Sequence, residues 1–133
     1  MSKIIPSGEF KNCDNITSVK FNDQCTSVGN QAFEDCDSLI EINDDNKIKT
    51  IGYGAFAKTK LTSVKFKNLK TITKPNETTH LGSFEGCDKL TTAYIPNCNE
   101  IPDRTFSECV NLNSIDIPLC KILEILHFII VIN

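Results

Sequence analysis

Seven cysteines and two histidines are the residues of this 133-residue chain best able to hold a metal or act in nucleophilic chemistry. Structural zinc sites are usually built from cysteine or histidine pairs about two to four residues apart with a second pair downstream, because one short turn must deliver two ligands to the same ion. Cys13, Cys25, Cys36, Cys87, Cys98, Cys109 and Cys120 never come closer than 11 residues. Their odd number leaves one thiol over in any complete disulfide framework. The last four recur every 11 residues, the mark of a structural repeat rather than of a ligand cluster. The expectation is a set of reduced, buried thiols packing as small apolar groups. Cys13, Cys36, Cys87 and Cys109 should line one inner edge, and Cys25, Cys98 and Cys120 a second. Parallel side chains on adjacent turns point the same way, which disfavours disulfides between them.

A nucleophile also needs a base and an oxyanion site in one pocket. His80 and His127 are far apart, and the chain has no Gly-x-Ser-x-Gly, no phosphate-binding glycine loop and no His-Glu-x-x-His. The expectation is a protein that is not an enzyme and needs no cofactor or metal. The formal charge is 14 − 17 = −3, with no basic stripe to neutralise phosphates, so nucleic acid is not the expected partner. With 40% apolar and 23% charged residues the chain can build a core. Trp is absent and Tyr numbers two, so eight Phe carry the aromatic load.

What must position these residues is a repeat. Phe10, Phe33 and Phe56 are 23 apart, Phe84 follows after 28, and Phe106 and Phe128 follow at intervals of 22. Three residues after each Phe stand Cys13, Cys36, Cys87 and Cys109, with Thr59 in the third repeat. Then come Ile16, Leu39, Leu90 and Leu112, and further on Val19, Ile42, Ala93 and Ile115. In the third repeat Leu61 and Val64 arrive one place early. Five residues before the Phe sit Ile5, Val28, Ile51, Ile101 and Leu123. Periods of this length signal stacked turns in which no turn can bury its apolar face alone. Leu61-Thr62-Ser63-Val64-Lys65-Phe66 and Leu112-Asn113-Ser114-Ile115-Asp116-Ile117 alternate as half-buried strands do. Stacking would put these strands in one parallel sheet.

The stretches Val28-Gly29-Asn30-Gln31-Ala32-Phe33-Glu34-Asp35-Cys36-Asp37-Ser38-Leu39 and Phe106-Ser107-Glu108-Cys109-Val110-Asn111-Leu112-Asn113-Ser114-Ile115-Asp116-Ile117-Pro118 resemble the BspA-like, or Treponema-type, leucine-rich repeat. So do Ile51-Gly52-Tyr53-Gly54-Ala55-Phe56 and Phe84-Glu85-Gly86-Cys87-Asp88-Lys89-Leu90. The resemblance covers about residues 4–121. It implies an α/β solenoid: a right-handed leucine-rich-repeat coil with a short parallel sheet on one side and loops or short helical turns on the other. About five repeats plus a degraded sixth make a single domain, with repeats near 5–27, 28–50, 51–72, 79–100 and 101–122. It also implies adhesion-like roles, since relatives are mostly surface proteins of bacteria and some protists.

Three places depart from the pattern. The extra residues of the fourth period fall within 73–82, a polar segment containing Lys74-Pro75-Asn76-Glu77-Thr78, which reads as an inserted loop. The second repeat puts Asp44 at an inward strand position; a buried carboxylate is costly, so the strand should end early and the run Asn43-Asp44-Asp45-Asn46 turn outward. The tail 122–133 is strongly apolar but interrupted by Glu124 and His127, and it falls short of the roughly 20 residues a spanning helix needs. It should cap the last turn or mediate self-association. Asn15-Ile16-Thr17 and Asn76-Glu77-Thr78 match the glycosylation acceptor, a pattern that an Asn- and Thr-rich chain meets by chance. The start lacks the apolar stretch of a secretory signal, which points to the cytoplasm, whereas the resemblance points to the cell surface.

If Val64 and Phe66 face inward, a stripe of Lys20, Asn43, Lys65, Tyr94 and Asp116 faces outward on the concave strand surface. It mixes charge with one aromatic, and Tyr is a favoured hot-spot residue. The expected function is a non-catalytic protein-interaction module using this face. The alternative is a structural fragment of a longer surface repeat array without a partner of its own.

Overall fold

The computed structural model describes residues 3–44 and 46–117. The chain winds through five stacked coils, carrying Phe10, Phe33, Phe56, Phe84 and Phe106 in turn. Among the described residues nine very short strands form in order: β1 (Ile4–Ile5), β2 (Ser18–Lys20), β3 (Ser27–Val28), β4 (Glu41–Asn43), β5 (Thr50–Ile51), β6 (Ser63–Lys65), β7 (Thr71–Ile72), β8 (Thr92–Tyr94) and β9 (Ser114–Asp116). All pairing is parallel, as identical coils laid on one another require.

The three-residue strands bear out the register read from the repeat, with Val19 opposite Ile42 and Val64 opposite Ala93, itself opposite Ile115. They do not form one sheet. β2 pairs with β4, β6 with β8 and β8 with β9, but β4 and β6 are not paired. The cause is the residue missing from the third repeat before Leu61. Lys60 donates to the Leu39 carbonyl at 2.9 Å and Thr62 to that of Ile40 at a long 3.4 Å, offsets of 21 and 22 residues. Two successive bonds with different offsets mean that the register slips there, and the ladder cannot continue.

A second sheet, β1-β3-β5-β7, runs along another side of the coil. It pairs Ile5 with Val28, Val28 with Ile51, and Ile51 with Ile72. These apolar positions are visible in the repeat, but their strand character was missed; the signal is the recurring dipeptide ending in Ile or Val. The sheet stops at β7. In the fifth coil Pro102 occupies the place of Gly29 and Gly52, whose amides donate to the preceding coil at 2.7 and 2.8 Å, and proline has no N–H to give.

The third side corrects the expected α/β class: no helix occurs among the described residues. Gln31, Asp35, Lys58, Arg104 and Glu108 have positive φ, as do Gly8, Asn12, Gly54 and Gly86. These lie two residues before or two after the coil's Phe. A left-handed residue recurring within one turn interrupts any α-helical ladder. What offsets the strain is bonding between coils. Alternate amides, including those of Phe10, Phe33, Phe56 and Phe84, donate to the next coil at 2.8 to 2.9 Å.

The core is a column of rings. Phe10, Phe33, Phe56, Phe84 and Phe106 stack at centroid distances of 5.3, 5.3, 5.7 and 5.6 Å, with planes within 16° of parallel. Phe66 leans against both Phe56 and Phe84. Beside them Val28, Leu39, Ile51, Leu61, Leu90 and Ile95 are buried.

Asp44 needs a second correction. β4 does end before it, but so do the neighbouring strands before Phe21, Phe66 and Ile95. The Asp44 side chain faces inward, 6% exposed. Its Oδ1 accepts the Asn46 amide at 2.5 Å, an Asx turn that reverses the chain locally and gives the buried carboxylate a donor. The expected roles of the 122–133 tail, and the placement of Cys120, lie outside the described residues.

Candidate functional site

The five stripe residues sit at matching positions of the five three-residue strands. Lys20 is opposite Asn43, and Lys65 is opposite Tyr94, itself opposite Asp116. In each strand the central residue turns into the core and the flanking ones turn out, because successive strand side chains alternate. Lys20, Asn43, Lys65 and Asp116 are exposed and Tyr94 half-buried. The Lys65 ammonium lies 5.7 Å from the centre of the Tyr94 ring, within cation–π reach. The stripe is thus two groups, Lys20 with Asn43, and Lys65 with Tyr94 and Asp116, parted where β4 and β6 separate. A cavity of about 290 Å³ opens at that parting, lined by Glu41, Ile42, Asn43, Asp44, Asn46 and Lys65. The split and its cavity were not anticipated; the early arrival of Leu61 was the available signal.

The cysteines take up the two edges read from the repeat, as far as described. Cys25, Cys36, Cys87, Cys98 and Cys109 are buried and Cys13 is half-buried, all as free thiols. Cys36, Cys87 and Cys109 each donate to the Phe carbonyl of the preceding coil, Phe10, Phe56 and Phe84, at 3.0 to 3.1 Å. The thiol is therefore a small apolar group with one weak bond to give to a specific buried carbonyl. Thr59, standing where the third coil lacks its Cys, bonds the Phe56 carbonyl of its own coil at 2.9 Å and lies 3.3 Å from Cys87 Sγ. Burial pushes the Cys25, Cys36 and Cys98 thiols above the ordinary cysteine range. Contact with Cys87, then burial, raises Cys109. Raised thiols are poor nucleophiles. Among the described residues no three His, Cys, Asp or Glu side chains gather where they could hold a metal.

The inserted segment is internally tied. Asn76 Oδ1 accepts the Thr78 and Thr79 amides at 3.1 and 2.6 Å and the Thr79 hydroxyl at 2.8 Å, while its Nδ2 donates to Tyr53 Oη at 3.0 Å. Where it returns to the coil, Gly82 passes so close to the Arg104 carbonyl that a β-carbon would overlap it. Arg104 grips Glu85 with two bonds, of 3.0 and 2.7 Å. Burial alone would raise the Glu85 carboxyl; the guanidinium, the Gly82 amide and Lys58 outweigh it and hold Glu85 below the usual carboxylate range. A cavity of about 500 Å³ lies between the insertion and the fifth coil, lined in part by Lys74, His80, Glu100 and Asp103.

A column of stacked Phe, two inner cysteine edges and outward-facing short parallel strands together define a leucine-rich-repeat solenoid. A sequence model of the BspA type leucine-rich repeat region matches residues 3–127 in six copies, and the chain belongs to that family. Two solved structures are similar. One is a leucine-rich cell surface protein of Faecalibacterium prausnitzii A2-165, 17% identical, with a TM-score of 0.52, matching 85% of this chain and 44% of that one. The other is a leucine-rich repeat protein of Bacteroides ovatus ATCC 8483, 22% identical, with a TM-score of 0.40, matching 86% of this chain and 41% of that one. The chain therefore spans less than half the length of either. No curated protein matches it. Among the described residues no helix is long and apolar enough to cross a membrane.

Proposed function

We propose that this chain is a non-catalytic protein-interaction module that docks its partner on the outward strand face through Lys20, Asn43, Lys65, Tyr94 and Asp116. The observation that carries the reading is the cavity of about 290 Å³ between the two halves of the stripe, walled by Asn43 and Lys65. A parallel ladder without a break is smooth; here the split leaves a recess beside a cation and, one strand on, a half-buried Tyr. Recesses that desolvate one anchoring side chain are where interface energy concentrates. Both signs of charge are present, which favours a protein partner of mixed polarity over a polyanion.

The test is capture of partners from native lysate by the wild type and by a Lys65→Glu, Tyr94→Ala variant. The variant should keep the wild-type unfolding midpoint and lose the captured protein. Capture that survives these changes but disappears on deleting 74–79 would move the site to the inserted loop.

The alternative is a structural portion of a longer surface array. It draws on the chain's spanning 44% of the Faecalibacterium cell surface protein. It predicts no partner for the strand face at all.

A further inference from the structure

The lysines are not spread evenly over the coils. Lys47 and Lys49 lie in the turn between β4 and β5, and Lys65, Lys67 and Lys70 at the end of β6 and in the turn before β7. All five are exposed. Stacking brings the two turns together on the flank of the second and third coils, away from either end of the stack. The Lys70 amide donates to the Lys49 carbonyl at 2.9 Å, and Asn68 Nδ2 to the Asn46 carbonyl at 2.8 Å. Thr50 is opposite Thr71, so Lys49 and Lys70, one residue earlier, stand side by side about 4.8 Å apart along the stack.

The corner is built before any ligand arrives. Ile48 and Leu69 are fully buried, which anchors each turn and leaves the lysines beside them facing outward. Asn97 of the next coil donates to the Lys67 carbonyl at 2.9 Å and ties down the later side.

Charge is segregated there. Residues 44–49 and 65–70 carry five Lys against Asp44 and Asp45, a formal 5 − 2 = +3, which leaves −3 − 3 = −6 for the rest of the chain. Asp44 turns into the core, and Asp45 lies outside the described residues. The ion pairs among the described residues use Lys11, Lys60, Lys74 and Arg104, all elsewhere on the coil. None of the five corner lysines forms one; Lys65 lies over the Tyr94 ring instead. Like charges in register on neighbouring strands repel, so the corner keeps a positive field that no described ion pair relieves.

We propose that this lysine corner docks a short acidic segment of a partner protein. The coil before it brings Asp23 to the same turn and the coil after it Pro96, Asn97 and Asn99, none of them basic. The positive patch is therefore two coils wide, about 10 Å of the stack. A nucleic-acid strand or a long sulfated glycan would run beyond it onto a surface of net charge −6, where like charge repels it. A run of a few carboxylates ends where the lysines end. The asparagine bonds hold the turns in place beforehand, so little order is lost on binding. The site goes beyond the strand-face reading: Lys65 is common to both, but Lys47, Lys49, Lys67 and Lys70 lie off that face.

The test is titration of the full chain with fluorescein-labelled octaglutamate at pH 7 and low salt, followed by anisotropy. Binding should saturate and weaken steeply as salt is raised, because exposed charges are screened. Lys49→Gln with Lys70→Gln should weaken it about tenfold, two exposed ion pairs being lost together. Lys89→Glu changes the net charge by the same two units at an exposed lysine away from the corner and should leave binding within about twofold. Both variants should keep the wild-type unfolding midpoint; if the double variant does not, Lys47→Gln with Lys67→Gln takes its place and should act in the same direction. The strand-face variant Tyr94→Ala should bind octaglutamate as the wild type does, so this site and that reading can fail separately. Absence of saturable binding, an equal loss in Lys89→Glu, or tighter binding of octathymidylate or a sulfated oligosaccharide of equal charge would each overturn the proposal.

Discussion

The Phe side and the strand side of this solenoid pass through the same five coils, yet one is continuous and the other is cut. The rings stack from Phe10 to Phe106 at 5.3 to 5.7 Å, although the third repeat is shortened before Leu61 and ten further residues, 73–82, contain an insertion. The strand side parts between β4 and β6. The Phe side is held by large buried rings and by regularly alternating amide bonds, and both fix the spacing between coils. The strand side has three-residue ladders whose outer faces meet water, so a one-residue slip there breaks only weak pairing. Length changes are pushed to the sides and corners that can absorb them. Well-packed cores behave this way because a shifted ring leaves a void or a clash.

The largest test of this contrast is Phe56→Ala. The ring is fully buried between Phe33, Phe66 and Phe84, and its loss should cost about 3–5 kcal/mol in urea unfolding. Phe10→Ala, at the half-buried end of the column, should cost clearly less; equal losses would mean that the column is not what holds the coils.

Gly52 and Gly8 probe the same contrast through the backbone. A β-carbon on Gly52 would sit 2.5 Å from the Asn30 amide nitrogen, whereas one on Gly8, at φ 68°, meets nothing within 4 Å. Gly52→Ala should cost about 1–3 kcal/mol by overpacking the junction. Gly8→Ala should cost only the left-handed strain of an alanine, about 1 kcal/mol. A reversed order in thermal unfolding would contradict the close approach of the coils.

Asp44→Leu asks whether the strand side can be mended. It replaces a buried carboxylate by the kind of side chain that Phe66 and Ile95 supply in other coils, at the loss of the Asn46 bond. We expect a gain of about 1 kcal/mol, read as a higher unfolding midpoint. A loss would show that the Asx turn matters more than the core.

Glu85 tests the corner where the insertion rejoins the coil. Because its folded carboxyl is held below the ordinary range, the contribution of the Arg104 pair is present above the unfolded carboxylate value of about 4.3 and is lost as pH falls through the lower folded value. Arg104 is half exposed, so screening limits the effect to about 1 kcal/mol or less. Glu85→Gln should lower stability at pH 7 and match the wild type in strong acid. A constant gap at all pH values would remove the ion pair from the account.

The smallest effect is chemical. In the folded state a thiol reagent should modify half-buried Cys13 before any of Cys25, Cys36, Cys87, Cys98 or Cys109. Mapping by mass spectrometry checks it, and early labelling of Cys87 or Cys109 would contradict their ladder role.

The sequence by itself determined the repeat, the identity of the inward positions and the strand register. Phe, Cys and Leu recur at fixed intervals, and each coil can hide them only by stacking on its neighbour. That logic is local to one period, so it is legible in a single chain. It also placed Lys20, Asn43, Lys65, Tyr94 and Asp116 at equivalent positions, because alternation along a strand needs no knowledge of the fold. Only the tertiary structure decided that the Phe side is a run of left-handed turns rather than helix, since amides that satisfy the next coil cannot be seen within one repeat. It alone placed Asp44 inward, because a neighbouring amide 2.5 Å away offsets a burial that composition argues against. It also decided that the strand face is split, because one missing residue before Leu61 sets two junction bonds out of register and the shift appears only when coil meets coil.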